Sequence, residues 1–228
     1  EPPPPLERGP VKLVVADHSS PDVDQVASDI AFAHDAGRAV AVHCVTREAV
    51  VVALAAWQEV GVVPGDRIEH GSVIDDAAAD VMSAVGLTVV TQPSFVFERG
   101  DDYLVEVDAI DQPYLYRCAA LESAGVGVAG SSDAPFADLD PWRAMRAAVG
   151  RRTRRGQLLG AGEAISPRRA LELFMGTPLR PAGPPRRVEV GAEADLCLLG
   201  APLAEALDAF DAGLVRMTLR RGVPLFDR

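Results

Sequence analysis

From Val11 onward, short apolar runs alternate with longer stretches in which apolar residues recur at helical spacing. VKLVVA reads as a strand, and PDVDQVASDIAFAHDAG behind it as a helix with proline in its first turn and Gly37 closing it. RAVAVHC is a second strand, and TREAVVVALAAWQEVG is its helix, with Thr46 as N-cap and Gly61 as the stop. The alternation continues through RIEH, DDAAADVMSAVG and LTVVTQP, after which Ser94 to Asp111 reads as a long polar loop. YLYRCAALESAG then predicts a helix, VGVAGSSD a strand, and DPWRAMRAAVGRRT a further helix. Five strand and helix pairs in succession predict parallel strands joined by right-handed crossovers.

The rhythm changes after SPRRALELFM, a helix starting at Ser166. Residues 176–185 are rich in proline and glycine, and ADLCLLG, VRMTLRRG and VPLF behind them read as short strands. The expected organisation is a proline-rich lead-in over residues 1–10, a parallel α/β domain over 11–185 and a small β segment over 186–228.

With 228 residues, 48% of them hydrophobic, the chain can bury a substantial core. Its formal net charge of -11 argues against a nucleic-acid partner, which needs a basic face to release counterions. Cys44, Cys118 and Cys197 are odd in number and widely spaced, which predicts neither a disulfide framework nor a zinc-thiolate site. No apolar run reaches the roughly 18 residues of a membrane span, and no charged-then-apolar leader opens the chain. The expected setting is the cytoplasm, with no membrane partner.

Candidate chemistry lies at the strand ends. In a parallel α/β barrel, side chains at the carboxyl ends of the strands converge on one face. His43, His70 and Asp133 all fall at such ends, and they are too far apart in sequence for a local metal loop. Each has an ordinary structural reading: a hydrogen-bonded histidine, or an aspartate in a turn. Together, two imidazoles and a carboxylate suit zinc, or iron or manganese in the same geometry. Such a site activates water, and Asp133 is the candidate both to hold the ion and to carry the proton to a leaving amine. Gln92, Tyr103 and Arg117 are candidates for substrate contact near the mouth. Arg67 and Glu69 are expected to point outward, opposite Ile68 and His70. His34 is expected on a solvated helix face, and His18 at the mouth of the first strand, facing solvent rather than substrate. No glycine-rich phosphate loop follows any strand.

RIEHGSVID followed by LTVVTQPSF, then YLYRCAALESAGVGVAGSSDAPF and finally VEVGAEADLCLLG, resemble the amidohydrolase superfamily. Within it they look like the amidohydrolase family 3 branch of metal-dependent hydrolases that includes N-substituted formamide deformylases. The resemblance implies a (β/α)8 barrel with one or two divalent ions, zinc foremost, beside a small β-sandwich. It implies hydrolysis of a carbon–nitrogen bond, other than a peptide bond, in a small-molecule amide, formamide or cyclic imide. His43 then matches the fifth-strand ligand, His70 the sixth-strand ligand, and Asp133 the eighth-strand aspartate. Lys12 matches a fourth-strand lysine that is carboxylated in some members to bridge two ions.

Two departures from that pattern stand out. Where many relatives of the branch carry glycine and aspartate after the fifth-strand histidine, this chain reads HCVTREA. The family's first strand bears a His-x-His pair, and the four histidines here, 18, 34, 43 and 70, form none. The chain is therefore expected to supply a partial TIM barrel, about strands 4 to 8, with the later part of the sandwich. Apolar faces left uncovered in this way predict a homo-oligomer. The alternative expectation is a truncated, non-catalytic half-barrel or an assembly partner.

Overall fold

The structure, a computed structural model, describes residues 8–15 and 22–228. His18 and most of the proline-rich lead-in therefore lie outside the described residues. Five strands form one parallel sheet in sequence order: β1 (Val11–Val14), β2 (Val40–Cys44), β3 (Arg67–His70), β4 (Thr88–Thr91) and β5 (Gly127–Gly130). The helices α1 (Val23–Asp35), α2 (Arg47–Val60) and α3 (Asp76–Val85) join the first four strands in turn. Parallel order forces every strand's carboxyl end to the same edge, which carries His43, His70, Gln92 and the segment leading to Asp133.

The caps follow from local chemistry. Asp22, Thr46 and Asp75 each accept a backbone N–H of the first turn of α1, α2 and α3 respectively. Gly86, left-handed at φ 76°, closes α3.

One face of the sheet carries Val40, Val42, Cys44, Ile68, Val89 and Val128, which join the main core with Ile30, Trp57 and Met82 of the helices. Burying a side chain such as Ile68 contributes roughly 1.5–3 kcal/mol. The register places Lys12, Ala41, Arg67, Thr88 and Gly127 in one row of the other face. Val14, His43, Glu69, Val90 and Ala129 form the row above it. This corrects the orientation expected for Arg67 and Glu69. Ile68 belongs with the helix-facing core, so its neighbours must face the other side, where Arg67 and Glu69 pair at 2.6 Å.

Three further differences have clear causes. The segment expected as a polar loop is helical, α4 (Ser94–Glu106). Its Phe95, Val96 and Gly100 are buried on one side, and a Cβ on Gly100 would sit 2.7 Å from Thr153. The helix expected over YLYRCAALESAG is only α5 (Ala119–Ser123), because Tyr116 is left-handed and Gln112–Tyr114 form a 3-10 turn. His34 is not solvated: its Nε2 lies 3.0 Å from the buried carboxylate of Asp66, which also accepts from Val40 N, Val63 N and Trp57 Nε1.

Beyond β5 come α6 (Pro141–Gly150), α7 (Pro167–Glu172), β6 (Leu196–Leu199), α8 (Leu203–Ala209), β7 (Val215–Arg220) and β8 (Val223–Asp227). The last three strands form an antiparallel sheet in the order β6, β7, β8. The helix between them does not belong to that sheet's surroundings alone, since Ala206, Leu207 and Phe210 enter the main core. Among the described residues, no helix is long and apolar enough to cross a membrane.

Candidate active site

His70 closes β3 in a left-handed conformation, φ 71°, followed by Gly71 at φ 55°. Histidine tolerates this region better than most residues, and the turn breaks the strict alternation of the strand. Strand register alone would set His70 beside Cys44 on the helix-facing side. Instead its ring lies edge-on to the ring of His43, with centroids 4.4 Å apart and planes at 72°. The turn is held by Gly71 N and Ser72 N, which both donate to Cys44 O.

Gln92, directly after β4, sets the chemistry of His70. Its Oε1 lies 2.8 Å from His70 Nδ1, while its Nε2 donates to Ser131 Oγ at 2.8 Å and to Val90 O at 3.3 Å. A carbonyl can only accept, so the Gln92 nitrogen must face Val90 and its oxygen must face His70. His70 Nδ1 then carries a hydrogen, and in the neutral ring Nε2 keeps the lone pair. This is the support that metal-ligating histidines commonly have. Gln92 is 1% exposed and fully engaged, so it positions His70 rather than touching substrate, contrary to expectation.

Asp133 also has a left-handed backbone, φ 57°, three residues beyond the end of β5. Its carbonyl accepts from Phe136 N, and Ser131 N extends the ladder to Thr91 O. Non-glycine residues in this region are sparse and tend to mark functional sites. His70, Tyr116 and Asp133 account for three of the six among the described residues. Even so, no group of three or more His, Cys, Asp and Glu side chains among the described residues is arranged to hold an ion. The structure brings His43 and His70 together and places Asp133 at the same edge, without closing a three-residue set.

Two other expected residues are placed differently. Lys12 shares a face with His43 but stands one row lower, and it is exposed. Arg117 is 7% exposed and engaged by Glu163, Asp76 and the carbonyl of Ile74, so it is structural. Burial works against its charge, but the bonds to Glu163 and Asp76 raise its pKa overall.

Tyr103 stands on α4 rather than on a loop. Its hydroxyl meets that of Tyr116 at 3.1 Å, and Tyr116 accepts from Ser72 Oγ at 3.0 Å. Burial raises both phenols, Tyr116 well above its ordinary value. At the departure in HCVTREA, Thr46 caps α2 and Arg47 pairs with Asp75 and Asp111. That pairing ties the segment after α4 to the start of α3.

The residue that the sequence did not point to is Tyr116. Its signal, a tyrosine two residues before Cys118, is indistinguishable from a helical position until its left-handed backbone is seen.

A sequence model of the Amidohydrolase family matches residues 11–226. The chain belongs to the amidohydrolase family. No curated protein matches it. Among solved structures it is similar to an uncharacterized metal-dependent hydrolase of Pyrococcus furiosus, at 27% identity and TM-score 0.58, covering 71% of this chain and 35% of that one. A second metal-dependent hydrolase, from Pyrococcus horikoshii, is 25% identical with TM-score 0.60, over 72% and 35% of the two chains. The ochratoxinase of A. niger shares the fold at 17% identity and TM-score 0.61, over 95% and 50%. The chain thus spans about a third to a half of the length of these structures. The five parallel strands with their helices are part of an amidohydrolase barrel.

Proposed function

We propose that this amidohydrolase chain carries the second-half ligands and proton carrier of a metal-dependent hydrolase. Its substrate is a small molecule with an amide, formamide or cyclic imide bond. The observation that carries the reading is the Gln92 to His70 bond, which leaves His70 Nε2 as a lone-pair donor beside the ring of His43. Two neutral imidazoles suit a borderline cation, zinc first. When bound, a divalent ion supplies Lewis acidity and a water of lowered pKa.

The chain's own residues do the rest. His43 and His70 hold the ion. The Asp133 carboxylate takes a proton from the attacking water and gives it to the departing nitrogen as the carbon–nitrogen bond breaks. Placing that carboxylate on a left-handed turn at the strand edge keeps it clear of the sheet's hydrogen bonds.

Asp133→Asn preserves shape and removes the proton carrier. Turnover of a formamide such as N-benzylformamide should fall at least about a hundredfold, the range of general acid–base catalysis, with an unchanged melting curve. Full activity in that variant sinks the assigned role. A second reading, an assembly partner that does not catalyse alone, is favoured by the lack of a closed three-residue ligand set among the described residues. Activity of the purified chain with added zinc rejects it.

A further inference from the structure

Phe95, Arg99 and Tyr103 follow at four-residue spacing along α4 and so share one face of the helix. The Arg99 guanidinium lies 4.1 Å over the ring of Phe136 and 5.8 Å from that of Phe95. Those two rings meet edge-on at 5.9 Å. Phe136 comes three residues after Asp133 and is 60% exposed, a large apolar side chain at the mouth. Among the described residues, Arg99 makes no hydrogen bond or ion pair. It is a cation held flat by aromatic faces with its five donors unspent.

The tyrosines beside it point the same way. Ser72 donates to the Tyr116 hydroxyl, which leaves Tyr116 its own hydrogen to give to Tyr103 at 3.1 Å. With Tyr116 as donor, Tyr103, one helical turn from Arg99, keeps a hydrogen to give. The Tyr116 carbonyl accepts from the buried Arg151 at 2.8 Å, which fixes the pair in place. The result is a guanidinium without a hydrogen-bond partner among the described residues, with the Tyr103 hydroxyl one helical turn away, beside the rings of Phe95 and Phe136. Ser72, Phe136 and α4 itself each follow within a few residues of His70, Asp133 and Gln92 respectively.

We propose that this face of α4 is a carboxylate-binding subsite, and that the substrate is an acid carrying an aromatic or similarly flat apolar group next to its scissile carbon–nitrogen bond. The inference rests on the preceding reading that the edge bearing His43 and His70 takes a small-molecule substrate. Arg99 receives the carboxylate with its planar fork, Tyr103 adds one hydrogen bond, and the exposed ring of Phe136 packs on the apolar part. A neutral ligand of the same shape leaves the guanidinium unpaired.

The test needs no turnover, which separates it from the proposed activity. The purified zinc-loaded chain is titrated calorimetrically with 3-phenylpropionate and with its neutral counterpart 3-phenylpropionamide. The carboxylate should bind at least roughly tenfold tighter, as expected for a charge-assisted pair. Arg99→Gln should abolish that preference and Tyr103→Phe should reduce it. Arg99→Glu should turn it in favour of the amide, and all three should keep wild-type melting curves. Equal binding of the two ligands, binding of neither, or a carboxylate preference that survives in Arg99→Gln overturns the proposal. If the preference follows Arg99 while N-benzylformamide and N-formylphenylalanine go unhydrolysed, the subsite stands and the proposed reaction falls.

Discussion

What separates His70 from an ordinary buried histidine is the amide of Gln92, whose nitrogen is committed to Val90 O and Ser131 Oγ. The sequence showed both residues at strand ends. It could not show that one orients the other, because the contact depends on neighbouring strands in register. Gln92→Met keeps the volume and removes the acceptor. Zinc affinity should then fall about 10- to 100-fold, the usual effect of losing such a support, with stability little changed; unchanged affinity in competition with a chelator would refute this role. Lys12 shows the opposite limit. Its place in an apolar strand was legible, but which face it took was not, since both faces of a barrel strand can be apolar.

At the scale of elements, the strand and helix succession was readable where a helix announces itself with a capping side chain and a closing turn, as Thr46 and Gly61 do for α2. The helix α4 was missed for a physical reason. Its N-cap position is Pro93, with no side-chain capping bond, and its acidic and glycine residues imitate a loop. What makes it helical is packing of Phe95 and Val96 and the close approach of Gly100 to Thr153, information that is tertiary. The start of α5 is organised similarly from a distance. Glu163 accepts from Cys118 N and Ala120 N with one oxygen and from Arg117 Nε with the other. Removing this buried partner in Glu163→Ala should cost about 3–5 kcal/mol, read as a lower urea midpoint. A loss below about 1 kcal/mol would show that Arg117 is satisfied by Asp76 alone.

For the molecule as a whole, the parallel sheet places His43, His70 and the segment leading to Asp133 on one edge, and the main core beneath it gives the edge its rigidity. That core includes Cys118, whose thiol burial pushes up from 9.0 to about 12. A raised pKa means the unfolded chain loses this proton first. The contribution to stability is full below about pH 9 and is lost as pH rises through about 12. The urea midpoint of wild type should therefore drop more steeply between about pH 8 and about pH 10.5 than that of Cys118→Ala, while equal slopes would show the thiol to be irrelevant. The pairing of His43 with His70 remains the centre of the account, and cobalt(II) titration followed in the visible spectrum tests it most directly. Saturable uptake with ligand-field bands in wild type, lost in both His43→Asn and His70→Asn with folding intact, is the predicted result. Uptake that persists in the double variant, or no saturable uptake by wild type, would contradict a metal site built on these two histidines.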